Sequence, residues 1–281
     1  MAKKKSGARG TPWNAWVWAA SNLLHIPYYA ARLIIRAADL CMARLSSQAK
    51  EAGVKSLQPK AGAAYSQLAM QGQAPHTGSL EEFEQKIMTS KSAIGLVLGA
   101  RGSGKSALGM RMLENVSAKT GRQVCAMGFD RSSLPGWINA IGSLDEVPNG
   151  AFVLVDEGGI SFSSRSAMSS ANRLLSSLLF ISRHKDISVL FISQNSANLE
   201  VNAIRQADFL MLRKPSLLQS EFERGIIAKI YKGALGGFEA LPGRGRHSTY
   251  IYSDEFRGFA ACSLPSFWSE KASKGYGARK L

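Results

Sequence analysis

Apolar residues recur at three- and four-residue spacing from Trp13 to about Leu45. The series runs Trp13, Trp16, Val17, Ala20, Leu23 and Leu24, then Ala31, Ile34, Ile35 and Ala38. Arg32, Arg36 and Asp39 fall on another face, so the pattern predicts an amphipathic helix, broken or kinked at Pro27. The most apolar window, Trp13 to Ala31, contains Asn14, Ser21, Asn22, His25 and Pro27, which suits a membrane span poorly. The run is also long, Trp-rich and without a clear cleavage site, unlike a signal peptide. Two uses stay open: an interfacial helix with its tryptophans at headgroup level, or a helix packed on the core or a partner.

From 46 to 78 the chain is rich in Ala, Gln, Gly and Ser without a period, which predicts a linker. Ser79-Leu80-Glu81-Glu82 then reads as a capping box opening a helix through about Met88. Short apolar runs follow at 93–98, 151–155 and 187–192, each suited to a strand buried on both faces. A helical pattern occupies 168–182. Another runs over 216–232, with Leu218, Phe222, Ile226, Ile227 and Ile230 near one face. Gly236-Gly237 and the stretch from Pro242 to His247 predict flexible, basic loop. Alternation in 249–252 and 258–262 predicts a hairpin turning at 253–257. Leu264 to Trp268 offers aromatic surface for docking, and 271–281 reads as a basic tail. Strands alternating with helices predict an α/β fold with a mostly parallel sheet flanked by helices. Its expected parts are an arm and helix (1–45), a linker (46–78), a core (79–232) and a hairpin extension with a tail (233–281).

The run at 93–98 leads directly into Gly99-Ala100-Arg101-Gly102-Ser103-Gly104-Lys105-Ser106, a complete G-x-x-x-x-G-K-S phosphate loop, and Ala107 continues as helix. Glycines let backbone N–H groups turn toward phosphate oxygens, and the helix N-terminus adds its positive dipole. Lys105 is placed for the β- and γ-phosphates of ATP and Ser106 for Mg²⁺. The run at 151–155 ends in Asp156-Glu157, fifty-one residues after Lys105. Asp156 is the expected Mg²⁺ holder, and Glu157 the general base for the attacking water. At the end of 187–192 stands Gln194, a candidate for contacting the γ-phosphate or its water. Eleven residues before it, Arg183 is placed either to pair with an acid or to reach a neighbouring subunit's nucleotide.

Composition adds where partners lie. The chain has 281 residues, 45% of them hydrophobic, and a formal net charge of +15. Residues 1–56 hold nine Lys/Arg against two acids and 213–281 hold twelve against six, whereas 57–212 hold fourteen against twelve. Basic flanks attract polyanions, nucleic acid or an anionic membrane surface alike. Three scattered cysteines make neither a disulfide framework nor a metal cluster, which argues against secretion.

A strand ending in Asp156-Glu157, a helix, Arg183, and a strand end at Ser193-Gln194 together resemble the FtsK/HerA superfamily of DNA-pumping P-loop ATPases. The segment from Ile204 to Arg213 resembles the strand that returns after that family's sensor glutamine. The resemblance covers about 93–213 and is greatest to viral genome-packaging ATPases, with Zot-like phage assembly ATPases next. It implies a RecA-like P-loop core, to which the residue pattern adds an N-terminal amphipathic helical segment and a C-terminal β-hairpin extension. It also implies nucleotide roles for Gly104, Lys105, Ser106, Asp156 and Glu157, a sensor role for Gln194, and a trans-acting finger at Arg183. Arg165 and Arg173 compete for that last role, and Asn195-Ser196 replaces the family's common Arg-Pro. The function implied is ATP-driven translocation of double-stranded DNA by a homo-oligomeric ring, a hexamer being one candidate, in the host cytoplasm or the virion. Residues 13–45 would then touch a membrane or a capsid vertex. The alternative is membrane-associated phage assembly or secretion.

Overall fold

The computed structural model describes residues 62–71, 76–157, 167–245 and 247–269. The helix expected at 13–45, Arg165, Arg246 and the tail lie outside them. In chain order the strands are β1 (Ala69–Met70), β2 (Thr77–Gly78), β3 (Ile94–Leu98), β4 (Val124–Met127), β5 (Ile138–Ile141), β6 (Phe152–Asp156), β7 (Ser188–Ile192), β8 (Phe209–Arg213), β9 (Ser248–Ser253) and β10 (Phe256–Ala261). The helices are α1 (Leu80–Thr89), α2 (Lys105–Thr120), α3 (Ala167–His184), α4 (Val201–Gln206), α5 (Leu217–Phe222) and α6 (Gly225–Ala240).

All ten strands join one sheet in the order β1-β10-β9-β8-β3-β7-β6-β4-β5, with β2 also on β10. From β8 to β5 every pairing is parallel. Along each central strand alternate residues go to opposite faces, as a period of two requires. Phe152, Leu154, Leu190, Ile192, Phe209 and Met211 join the core under α1 and α2. Val153, Val155, Val189, Phe191, Leu210 and Leu212 join the core under α3, α4 and α6. Helices on both faces bury both, which explains why these strands read as unbroken apolar runs rather than alternating ones. The expected α/β core with a mostly parallel sheet is therefore present.

The structure redraws three expectations. The hairpin expected as an extension is β9–β10, and it continues the same sheet, antiparallel to β8. The described part of the expected linker, 62–71 and 76–78, is fixed on the core. Leu68 is buried, Ala64 N–H donates to Glu114 and Ser66 N–H to Asn115, while β1 and β2 pair with β10. Composition gave no sign of this, because the partners are polar side chains of α1 and α2 and the backbone of a distant strand.

The single helix expected over 216–232 is two. Glu223 and Arg224 adopt extended backbone between α5 and α6, and both side chains bond the 195–199 loop. Beyond that break α6 continues to Ala240, through Gly236-Gly237, and so across the expected boundary at 232. Gly237 is not a loop residue but a point of close approach. A Cβ there would come within 2.2 Å of the Phe259 ring on β10.

Candidate functional site

Two edges of the sheet differ in chemistry, and the phosphate loop lies at the C-terminal edge of the parallel strands. The loop leaves β3 at Gly99 and re-enters regular structure at Lys105. Gly104 is left-handed (φ 85°), and no side chain caps the sixteen-residue helix α2 that it opens. Its uncapped first turn is a seat for an anion. The Ser103 hydroxyl is buried inside the loop with no hydrogen-bond partner. An unsatisfied polar atom in such a cradle fits a phosphate site.

Lys105 is buried, and its Nζ donates to the carbonyls of Gly99 (2.7 Å) and Ala100 (2.9 Å) of its own loop. Burial lowers its pKa, while Asp156 and Glu157 push it back up. Ser106 Oγ donates to Asp156 Oδ2 at 2.7 Å. A hydroxyl and a carboxylate converging at the head of a phosphate loop are the hard oxygen donors Mg²⁺ takes, so these two residues fit that ion. Arg101 and Gly102 are exposed at the tip of the loop and Ala107 is buried in the first turn of α2.

Strand order explains the rest. β7 lies between β3 and β6, so the ends of β6 and β7 are neighbours beside the loop. Glu157, one residue beyond β6, accepts a hydrogen bond from Ser193 Oγ at 2.5 Å on Oε2. Gln194 stands next to Ser193 with its side chain exposed, and its carbonyl accepts from Gln219 Nε2 at 2.6 Å. Lys105, Ser106, Asp156, Glu157 and Gln194 are thus brought to one edge.

Arg183 is not among them. It lies exposed in the last turn of α3, which leads into the N-terminal end of β7 at the opposite edge. Five residues of strand, about 16 Å, separate the two edges. Arg173 stands on the same helix ten residues earlier, about 15 Å nearer its start.

Two further residues of the site take their roles from the fold. Ser193 orients Glu157, and Arg213 braces the loop from below. At the end of β8, Arg213 donates through Nε to Ser103 O (2.7 Å) and through Nη1 to His247 O (3.0 Å) and Thr249 Oγ1 (3.1 Å). Burial lowers the pKa of its guanidinium. The φ of Gly104 calls for glycine, and a Cβ there would also stand 3.1 Å from Nη2 of Arg213. The sequence signal for Arg213 is the one Asp156 gives, a charge ending an otherwise apolar strand.

Fold and site define the class: a P-loop NTPase core with the phosphate loop and a carboxylate pair on one sheet edge. Among solved structures the chain is similar to the DNA-packaging ATPase B204 from Sulfolobus turreted icosahedral virus, at 15% identity over 57% of this chain and 92% of that one, with a TM-score of 0.39. It is similar to EssC (ATPases 2 and 3) from Geobacillus thermodenitrificans, at 11% identity over 79% and 50%, TM-score 0.41. The N-terminal domain of zonular occludens toxin from Neisseria meningitidis follows at 18% identity over 43% and 76%, TM-score 0.30. No protein-family model and no curated protein matches the sequence.

Proposed function

We propose that this protein hydrolyses ATP and uses it to move double-stranded DNA as a homo-oligomeric ring, in the manner of a viral genome-packaging ATPase in the host cytoplasm or virion. The observation that carries the hydrolytic part is the Glu157 carboxylate, fixed by Ser193 beside a complete phosphate loop. With Oε2 held by the hydroxyl, the other oxygen is left to take the proton of a water attacking the γ-phosphate. Lys105 exchanges the Gly99 and Ala100 carbonyls for the β- and γ-phosphate oxygens. Ser106 and Asp156 would hold Mg²⁺, which neutralises charge on those oxygens. Gln194 serves as the residue next to the γ-phosphate that feels its loss.

Arg183 supports the ring. An exposed arginine on the far edge cannot reach its own nucleotide, but it can complete a neighbour's. The DNA part is supported by the formal charge of +15, concentrated on the flanks, since phosphate tracking needs Lys/Arg and no base contacts. The alternative is membrane-associated phage assembly, which could use an interfacial helix at 13–45 as the packaging reading does. Among the described residues no helix is long and apolar enough to cross a membrane.

The test is ATP hydrolysis by the purified full chain, with and without linear double-stranded DNA, at two salt concentrations. The proposal expects stimulation by DNA that fades as salt rises. Hydrolysis indifferent to DNA but raised by anionic vesicles would replace it with the second reading.

A further inference from the structure

The hydroxyl that fixes Glu157 has one proton and two acceptors within reach. Ser193 Oγ lies 2.5 Å from Glu157 Oε2 and 3.1 Å from Asn195 O, and it accepts from Asn195 N–H at 3.3 Å. A single O–H can serve only one acceptor at full strength. Which one it serves depends on where the backbone at 194–196 stands.

That backbone is gripped from α5. Two peptide groups meet Ser193 Oγ, the one between 194 and 195 through its N–H and the one between 195 and 196 through its carbonyl. The far end of each is bonded to one of a pair of side chains. Gln219 Nε2, on α5, donates to Gln194 O at 2.6 Å, and Glu223, just past α5, accepts from Ser196 N–H at 2.8 Å. Because a peptide group is a rigid plane, holding one end aims the other. The pair is itself joined, Gln219 Nε2 also donating to Glu223 Oε1 at 2.7 Å. Glu223 is buried and accepts from the Ser196 hydroxyl as well, while Arg224 Nε donates to Ser196 O at 3.0 Å. Gln219 Oε1, by contrast, is buried without a hydrogen-bond partner. The amide thus spends both N–H bonds on this clamp and leaves its oxygen orphaned, a cost of the kind that functional sites carry.

We propose that Gln219 is a positioning residue for ATP hydrolysis, which with Glu223 holds the 194–196 backbone so that the Ser193 proton stays on Glu157. Gln219 bonds neither Ser193 nor Glu157 and acts on the base only through the two peptide groups. With its donor gone, the 194–195 peptide is free to turn, and the Asn195 carbonyl then competes with Glu157 for the one hydroxyl proton. The carboxylate stays in place but loses the bond that aims its other oxygen at the attacking water. The inference rests on Glu157 being the base.

The experiment is steady-state ATP hydrolysis by the purified full chain without DNA, with a melting curve for each variant. Gln219→Met keeps an unbranched side chain of similar length and removes the donor. Its kcat should fall about tenfold with KM held within about twofold, as for a base that is present but misaimed. Gln219→Lys has similar reach and keeps a donor for Gln194 O and Glu223, so it should recover most of the lost rate. Combination with Ser193→Ala separates positioning from a general structural effect. If Gln219 acts through Ser193, the double variant should be no slower than Ser193→Ala alone. Losses that multiply, a Lys variant as slow as the Met variant, or a Met variant at the wild-type kcat would each overturn the inference. Should Gln219→Met melt early, Gln219→Ala removes the same donor with a smaller side chain on a helix. Glu157→Gln at full rate, or a wild type without hydrolysis, would overturn the reading of Glu157 and this inference with it. A slow Glu157→Gln beside a fast Gln219→Met would overturn this inference alone.

Discussion

Glu157 and Ser193 meet across thirty-six residues of sequence because β6 and β7 pair. Changing Glu157 to Gln should lower kcat by about 10²–10⁴-fold while fluorescent-nucleotide binding persists, as expected for a lost general base. Ser193→Ala should reduce kcat about tenfold with little change in KM, because the carboxylate remains but loses its orientation. A third residue acts on stability rather than chemistry. Glu84, buried on α1, accepts from Leu68 N–H at 2.9 Å, and burial raises its pKa above the ordinary value of 4.5. A carboxyl with a raised folded pKa contributes stability at low pH and loses it as pH climbs through that pKa. Glu84→Gln should therefore raise the Tm at pH 7, and the difference from wild type should vanish below pH 4.5 in a melting series.

At the scale of elements, α6 and β10 decide how much of the C-terminal region is core. Gly237 would read as a helix weakness, since Ala is favoured over Gly in a helix by about 0.5–1 kcal/mol. Here the sign reverses. Phe259 is buried and packs edge-on against Phe238, so its ring cannot withdraw from a new methyl group. Gly237→Ala should destabilise by about 1–3 kcal/mol in denaturant unfolding. The hairpin follows the same logic. β9 supplies the antiparallel neighbour that β8 would otherwise lack, so the hairpin extends the sheet rather than decorating it.

Over the whole molecule, the decisive fact is that α3 carries Arg183 away from its own phosphate loop. Arg183→Ala should cut hydrolysis by about 10³-fold and leave nucleotide binding intact, if a trans finger is at work. Lys105→Ala should be inactive for the opposite reason. Mixing the two should recover part of the activity, because some junctions then pair an intact loop with an intact arginine. Failure of the mixture to recover any would place the arginine's role elsewhere.

The phosphate loop, the Asp156-Glu157 strand end and the parallel core were legible because each is local. A loop, a strand or a helix start is specified by residues a few positions apart, and buried parallel strands advertise themselves as apolar runs. The break between α5 and α6, the docking of 62–71 on the core and the helical state of Gly236-Gly237 are not legible in the sequence, because nothing local distinguishes those cases. They turn on partners far along the chain: Ser196 for Glu223 and Arg224, Glu114 for Ala64, Phe259 for Gly237. Which side of the sheet Arg183 faces, and that Ser193 and Arg213 attend the nucleotide loop, depend on strand order. The sequence by itself determined the elements and their chemistry. Only the tertiary structure decided which charges face one another, because hydrogen bonds and packing act over a few ångströms of space whatever the distance along the chain.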